Sequence, residues 1–283
     1  WIRMNRINNW GAEDVLALLF IKNLTSPIVR DIVSRHNSFD EFLAAPMAPD
    51  LAARIMPDAM FDSPIESARK FAQRQMEAAE ANKCSVVSYW SHDYPFMLKD
   101  IEYPPLILFV RGQLSDPSAN SIAVVGTRLA TNYGKLTTER YAEAFVRAGA
   151  IVTSGMAYGI DRAAHYAAMK AGGKTYAVIA SGLDRISPQE SQKVADEIID
   201  SGGAIITEYS FGTVARPAYF PRRNRIVSGI SRATLVVESR AKGGALITAQ
   251  FAFDQNRDLF AVPGRITDEK SSGCNMLIKK NMA

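Results

Sequence analysis

Phe220-Pro221-Arg222-Arg223-Asn224-Arg225-Ile226-Val227-Ser228-Gly229, followed by Ala233-Thr234-Leu235-Val236-Val237-Glu238 and then Lys242-Gly243-Gly244, is the stretch that decides the fold. The central run is short, apolar and β-branched, bounded by turn residues, as a strand buried on both faces should be. Segments at Arg223–Ser231 and Gly244–Asn256 read as helices on either side of it. Helix, buried strand, glycine turn and helix again form the repeating unit of a doubly wound sheet. The same stretch carries chemistry. Behind an aromatic and a proline come three arginines and an asparagine, and the arginines are planar, permanently charged donors better matched to phosphate than lysine.

Working outward, the same alternation recurs. Ser85–Tyr89, Leu106–Val110, Ile122–Val125, Ile151–Thr153, Thr175–Ala180, Ala204–Thr207 and Asp258–Val262 read as further strands. Asn132–Ala148, Gly159–Ala171 and Pro188–Asp200 read as helices between them, and Ser272–Ala283 as a last one that stops abruptly. Right-handed βαβ units follow, and with them an α/β fold whose sheet is Rossmann-like, doubly wound and mostly parallel, over residues 83–283. Residues 1–82 read as helical throughout. Ala12–Lys22 carries a broad apolar face, Ser26-Pro27 offers a cap and a first-turn proline, and Ser38 to Glu41 has capping-box spacing. Short pieces lead to Pro57, and Ser63-Pro64 opens a long helix to about Asn82. Such a module is either a small SAM-like interaction domain or a cap over the sheet; its sequence admits both.

Composition sets outer bounds. The 283 residues are 47% hydrophobic and 22% charged with a net charge of +4, ordinary for two globular domains and compatible with an anionic partner. Cys84 and Cys274 are far apart and the three histidines are scattered, so no zinc site or disulfide framework is expected, which fits a reducing compartment. The first residue is Trp1 with no secretory leader behind it, which fits a chain starting inside a longer gene product. No apolar run approaches the roughly 20 residues of a membrane span. A cytoplasmic location follows as the expectation. No GxGxxG follows the sheet's first strand and no GxxxxGK[ST] occurs, so neither a dinucleotide cofactor nor a P-loop is expected.

In an open parallel sheet, ligands bind beyond the carboxyl ends of the strands. Those ends carry Gly126-Thr127-Arg128, Ser154-Gly155 through Gly159-Ile160-Asp161, Ser181-Gly182-Leu183-Asp184 and Lys242-Gly243-Gly244. Small residues admit close backbone approach, and N–H groups at a helix start attract anions. One such turn alone means only tight packing; four of them converging with Arg128 and the arginines of 222–225 point to a groove for a nucleic-acid backbone. Lys174 is either a solvated strand-start residue or a phosphate contact at the groove mouth. Asp161 and Asp184 read as turn caps, and His165 as packed or surface. Phe220 is core or a base-stacking platform. Arg223 and Arg225 pair with Glu238 and other acids, or face the groove. The apolar Met276, Leu277 and Ile278 near the end mark a candidate dimer interface.

Several of these motifs together resemble one family. Val124-Val125-Gly126-Thr127-Arg128, Thr153-Ser154-Gly155 with Gly159-Ile160-Asp161, Gly173-Lys174-Thr175 with Ala180-Ser181-Gly182-Leu183-Asp184, and Phe220 through Gly229 are similar to those of the DprA/Smf DNA-processing family. Gly244-Ala245-Leu246-Ile247-Thr248-Ala249, Phe260-Ala261-Val262-Pro263-Gly264 and Gly273-Cys274-Asn275-Met276-Leu277-Ile278 resemble it too. The resemblance implies a non-enzymatic, single-stranded-DNA-binding homodimer that protects incoming DNA and loads the RecA recombinase during natural transformation. It implies Arg128 and Lys174 as phosphate contacts, Phe220 as the stacking aromatic, and Arg223 and Asn224 lining the same pocket. Members place a lysine three residues before the aromatic; that position here is Pro217, and Arg216 beside it is the replacement candidate, with Arg225 a further possible contact. Many members add a C-terminal winged-helix domain, which this chain ends before. Two rival readings are a nucleotide-binding sensor and a phosphoribohydrolase like the LOG family. For the latter, Lys242-Gly243-Gly244-Ala245-Leu246-Ile247-Thr248 lacks the acid of the PGGxGTxxE motif.

Overall fold

The computed structural model describes residues 9–22, 24–47, 51, 64–188 and 190–283. Among the described residues the leading helices are α1 (Ala12–Phe20), α2 (Ser26–Arg35), α3 (Phe39–Ala44) and α4 (Pro64–Ala81). Ser38 caps α3, its hydroxyl accepting from the Glu41 N–H at 3.1 Å, as its spacing predicts. The cap position of α2 is Thr25 rather than Ser26. The short pieces expected up to Pro57 fall largely outside the described residues, and the expected cap Ser63 lies outside them altogether.

The eight expected strands all form: β1 (Cys84–Ser88), β2 (Ile107–Gly112), β3 (Ser121–Val125), β4 (Ile151–Ser154), β5 (Thr175–Val178), β6 (Ala204–Thr207), β7 (Ala233–Val236) and β8 (Asp258–Ala261). A short helix absent from the sequence reading, α5 (Phe96–Lys99), precedes β2. Between the later strands run α6 (Asn132–Arg147), α7 (Ile160–Lys170), α8 (Ser191–Asp200), α9 (Tyr219–Gly229) and α10 (Gly244–Asp254), and α11 (Ser272–Lys279) closes the chain. The spatial order is β1-β2-β6-β5-β4-β3-β7-β8. The six strands from β6 to β8 are parallel, whereas β1 pairs with β2 and β2 with β6 in antiparallel sense. The sheet is thus mostly parallel, as expected, with its antiparallel pairs confined to one edge. An apolar run has no direction of its own; the hairpin-like return through α5 sets it.

Alternation along each strand divides the core. Val124 and Val152 meet α6 and α7 on one face, while Ala123, Val125 and Val178 meet α9 and α10 on the other. Phe109, Ala177 and Ile205 extend the first face into a cluster that continues through Val194 and Ile198 of α8 to Leu16, Leu18, Phe42, Ala68 and Ala72 of the leading helices. The described leading helices thus share one apolar cluster with the sheet. Among the described residues no helix is long and apolar enough to cross a membrane.

Candidate functional site

The chain proceeds from β3 through β4 and β5 to β6 in one direction, then crosses back to lay β7 and β8 on the other side of β3. That reversal opens a crevice at the carboxyl ends of β3 and β7, the position where open α/β sheets bind ligands. A pocket of about 590 Å³ lies there, lined by Gly126, Thr127 and Arg128 after β3, Gly155, Ala157 and Asp161 after β4, Ser239, Arg240, Gly243 and Gly244 after β7, and Phe220, Arg223 and Asn224 of α9.

Each wall is held from behind. After β3, the Thr127 N–H donates to the Glu238 carbonyl at 2.8 Å. The Thr131 N–H donates to the Glu238 carboxylate at 3.0 Å and its hydroxyl makes a second, short bond to it. Thr131 also caps α6, accepting from the Gly134 N–H at 3.0 Å. Glu238 is buried and braces the Arg128 loop from the β7 side; the sequence reading offered it to the arginines instead. After β4, Gly159 has φ 79°, and a Cβ there would stand 2.2 Å from the Thr127 carbonyl, so no other residue fits without moving the Arg128 loop. Met156 also lies in the left-handed region at φ 58° with its side chain buried, a conformation costing roughly 1–3 kcal/mol. After β7, Gly243 is the N-cap of α10, whose first turn opens on the pocket.

The floor belongs to Arg223. It is 4% exposed, and its guanidinium donates to the Gly155 carbonyl at 2.6 Å and, by a short bond, to the Val178 carbonyl, tying α9 to the ends of β4 and β5. Its Nε donates to the Asn224 side-chain oxygen at 3.2 Å. Burial lowers its pKa to about 10, opposed by the neighbouring Asp161, so the group stays cationic at neutral pH. Burial raises the Asp161 pKa, and the charge of Arg223 offsets part of that rise. Asp161 is the one acid among the lining residues, and its carboxylate accepts from the Ala157 N–H at 3.3 Å. Phe220, half-buried in the first turn of α9, carries the exposed Arg128 over its ring, with the guanidinium carbon 5.6 Å from the centroid. Pro221 stands within that first turn, where a missing N–H breaks no helical bond.

Of the residues singled out by sequence, Gly126, Thr127, Arg128, Gly155, Phe220, Arg223 and Asn224 meet at this pocket. Gly159 supports it from beneath, by the close approach just described. Ser154 lies below it, fully buried, its hydroxyl donating to the Val124 carbonyl at 2.6 Å. Lys174 is a correction. It directly precedes β5 and therefore sits at the amino edge of the sheet, with its ammonium donating to the Ser115 hydroxyl at 3.3 Å, while the pocket is at the carboxyl edge. A four-residue parallel strand, roughly 13 Å long, separates the two.

Arg225 is a second correction. It is turned away from the pocket and forms a bidentate pair with Glu208 at 2.8 and 2.7 Å, donating also to the Tyr103 carbonyl at 3.0 Å. Arg216 is exposed and lies over the Tyr219 ring, beside the pocket rather than in it. Leu277 is core, packed under the sheet, so of the three terminal apolar residues Ile278 is the exposed one and Met276 is half-buried. His165 is packed, as one of its two sequence readings had it. The Thr175 hydroxyl donates to the Val152 carbonyl at 2.6 Å and so accepts from His165 Nδ1 at 2.7 Å. Burial, with Arg223 and Arg162 nearby, lowers the His165 pKa to about 3.

Over residues 85–283 the chain matches the family described as DNA recombination-mediator protein A. It is 38% identical over 208 residues to the DNA processing protein DprA of Bacillus subtilis, covering 73% of this chain and 70% of that one. To Protein Smf of Synechocystis it is 39% identical over 190 residues, or 66% of this chain and 48% of that protein, so the match spans about half the relative's length. Among solved structures, DprA of Streptococcus pneumoniae superposes with a TM-score of 0.77 at 30% identity, over 95% of this chain and 93% of the other. DNA processing protein A of Helicobacter pylori, described for its single-stranded DNA binding mode, gives 0.63 at 28% identity, over 71% of this chain and 89% of its own.

Proposed function

This chain belongs to the DNA recombination-mediator protein A family, and from that premise we propose that its carboxyl-edge pocket binds single-stranded DNA through phosphates and unpaired bases, without a covalent step. The observation that carries the reading is Arg128 resting over the Phe220 ring at the mouth of a pocket floored by the buried, cationic Arg223. Arg128 contacts phosphate, and Phe220 stacks on a base, which is worth about 1–3 kcal/mol without reading sequence. Gly126, Thr127 and Gly155 let the strand approach the backbone, and the first turn of α10 faces it with N–H groups suited to an anion. Arg223 and Asn224 shape the pocket from below and add fixed positive charge. The Helicobacter pylori relative, whose structure is described for its single-stranded DNA binding mode, supports the same use of this fold.

The test is a titration with single-stranded and duplex oligonucleotides at two salt concentrations. Single strands are expected to bind more tightly, with log affinity falling by about 0.7 per phosphate neutralised for each tenfold rise in salt. Arg128→Glu is expected to weaken binding at moderate salt more than Lys174→Glu does, since Lys174 stands at the opposite edge. Wild-type affinity in a folded Arg128→Glu protein sinks the proposed groove.

The finer reading is a homodimer that protects incoming DNA and loads RecA during transformation, in the cytoplasm. It rests on the family resemblance and on the exposed Ile278 of α11, with Phe260 exposed on the neighbouring edge strand β8. RecA filament growth on strands covered by single-strand-binding protein, with and without this protein, tests the loading. A strictly monomeric mass at high concentration removes the dimer. The helical segment to residue 82 is proposed as a SAM-like domain packed against the Rossmann-like module of 83–283.

A further inference from the structure

The Arg128–Phe220 arrangement has a counterpart one residue away. Tyr219, half-buried at the start of α9, stacks on Tyr209 with ring centroids 4.5 Å apart and planes at 23°. The exposed Arg216 lies over the same ring, 5.9 Å from its centroid. Both sites are built on a half-buried ring in the first turn of α9 with a solvent-exposed arginine resting on it, and Tyr219 is in addition backed by Tyr209.

Successive helical residues diverge by about 100°, so the two rings point apart. Phe220 faces the loop after β3, and Tyr219 faces Tyr209, two residues past the end of β6. With β4 and β5 between them, β3 and β6 stand three strand spacings apart, roughly 14 Å. One base cannot serve both. The Tyr158 ring nearby differs in a telling way. Its arginine, Arg162, is 4.3 Å from the centroid but tethered to the Ser191 hydroxyl at 3.1 Å and half-buried, so that ring face is closed. Arg216 has no such tether among the interactions of the described residues.

We propose that Tyr219, backed by Tyr209 and covered by Arg216, is a second base-stacking seat. A single strand would then run along the carboxyl edge of the sheet from Phe220 to Tyr219, with a different base on each ring. This rests on the single-stranded DNA reading of the pocket and extends it from one base to a path. A guanidinium holds on an exposed ring more weakly than a stacked base does. The arriving base displaces Arg216, which turns to a phosphate beside it, as Arg128 does at the first seat. Each seat thus holds its own counter-charge before DNA arrives.

The test uses the full chain and thymidine oligonucleotides of increasing length. Wild-type affinity is expected to rise in two steps, as first one seat and then the other fills. Tyr219→Ala is expected to lose the later step, about 5- to 150-fold, and Tyr219→Phe to keep it. Phe220→Ala is expected to lose affinity at every length. A folded Tyr219→Ala protein with the full length-dependent gain overturns the second seat while leaving the pocket reading in place. No binding by wild type at any length overturns the pocket reading itself. Photocrosslinking of the unmodified protein to strands carrying 5-iodouracil at successive positions gives an answer that does not depend on a variant's folding. Adducts on Phe220 and on Tyr219 or Tyr209 from different base positions support the path; adducts confined to Phe220 refute it.

Discussion

Of the three arginines in Arg222-Arg223-Asn224-Arg225, two are committed inside the protein. Arg225 and Glu208 form an ion pair whose side chains are each 9% exposed. Removing one partner of such a pair leaves an uncompensated buried charge, typically at 3–5 kcal/mol. Glu208→Gln is therefore expected to cost about that much in chemical denaturation, and Arg225→Met on top of it to recover part of the loss. Gly159→Ala is expected to destabilise by at least about 1–3 kcal/mol, from its left-handed φ and the contact with the Thr127 carbonyl. A melting temperature equal to wild type would show that the Arg128 loop yields freely. That arginines were wanted here was legible in the composition of the stretch. Which of them faces a ligand was not, because Glu208 lies 17 residues from Arg225 and no local pattern announces the pair.

At the scale of elements, α7 is bonded to the sheet through the His165–Thr175–Val152 chain described above. His165 Nε2 is buried without a hydrogen-bond partner among the described residues. The unfolded chain titrates this histidine near its ordinary value of 6.5, whereas the folded protein holds it to about 3. Its contribution to stability is thus complete above pH 6.5 and is lost as pH falls towards 3. The slope approaches about 1.4 kcal/mol per pH unit. Denaturation midpoints at pH 7.5 and 5.5 are expected to differ in that direction, and His165→Gln to narrow the gap. An unchanged gap in a folded variant would mean that other groups set the acid sensitivity. Thr175→Val, which keeps shape but removes the acceptor of His165 Nδ1, is expected to cost about 1–3 kcal/mol. The strands themselves were readable from β-branched runs between turn residues. The antiparallel sense of β1 and β2 was not, since direction follows from how the chain returns.

For the whole molecule, the leading helices and the sheet share one apolar cluster, from Trp10 and Leu18 through Phe109 to Ile198. The protein is therefore expected to unfold in one cooperative step, with tryptophan fluorescence and circular dichroism coincident in a urea titration. A chain beginning at residue 83 uncovers Leu106, Ile107 and Phe109 and is expected to melt lower or to aggregate. Two separated transitions in the full chain would instead show the helical segment folding independently.

Periodicity, turn chemistry and the order of glycine-bearing strand ends are local properties, and they sufficed for an α/β sheet with a pocket at its carboxyl ends. They also sufficed for Arg128, Phe220 and Arg223 at that edge. Placement across the sheet is not local. Lys174 looked equivalent to Arg128 in one dimension, yet preceding a strand puts a residue at one edge and following it puts a residue at the other. The assignment of Arg225 to Glu208, of Glu238 to Thr131, and of Leu277 to the core all came from contacts between distant segments. Packing settles those, because a buried charge or apolar side chain takes whichever partner the folded chain brings within reach.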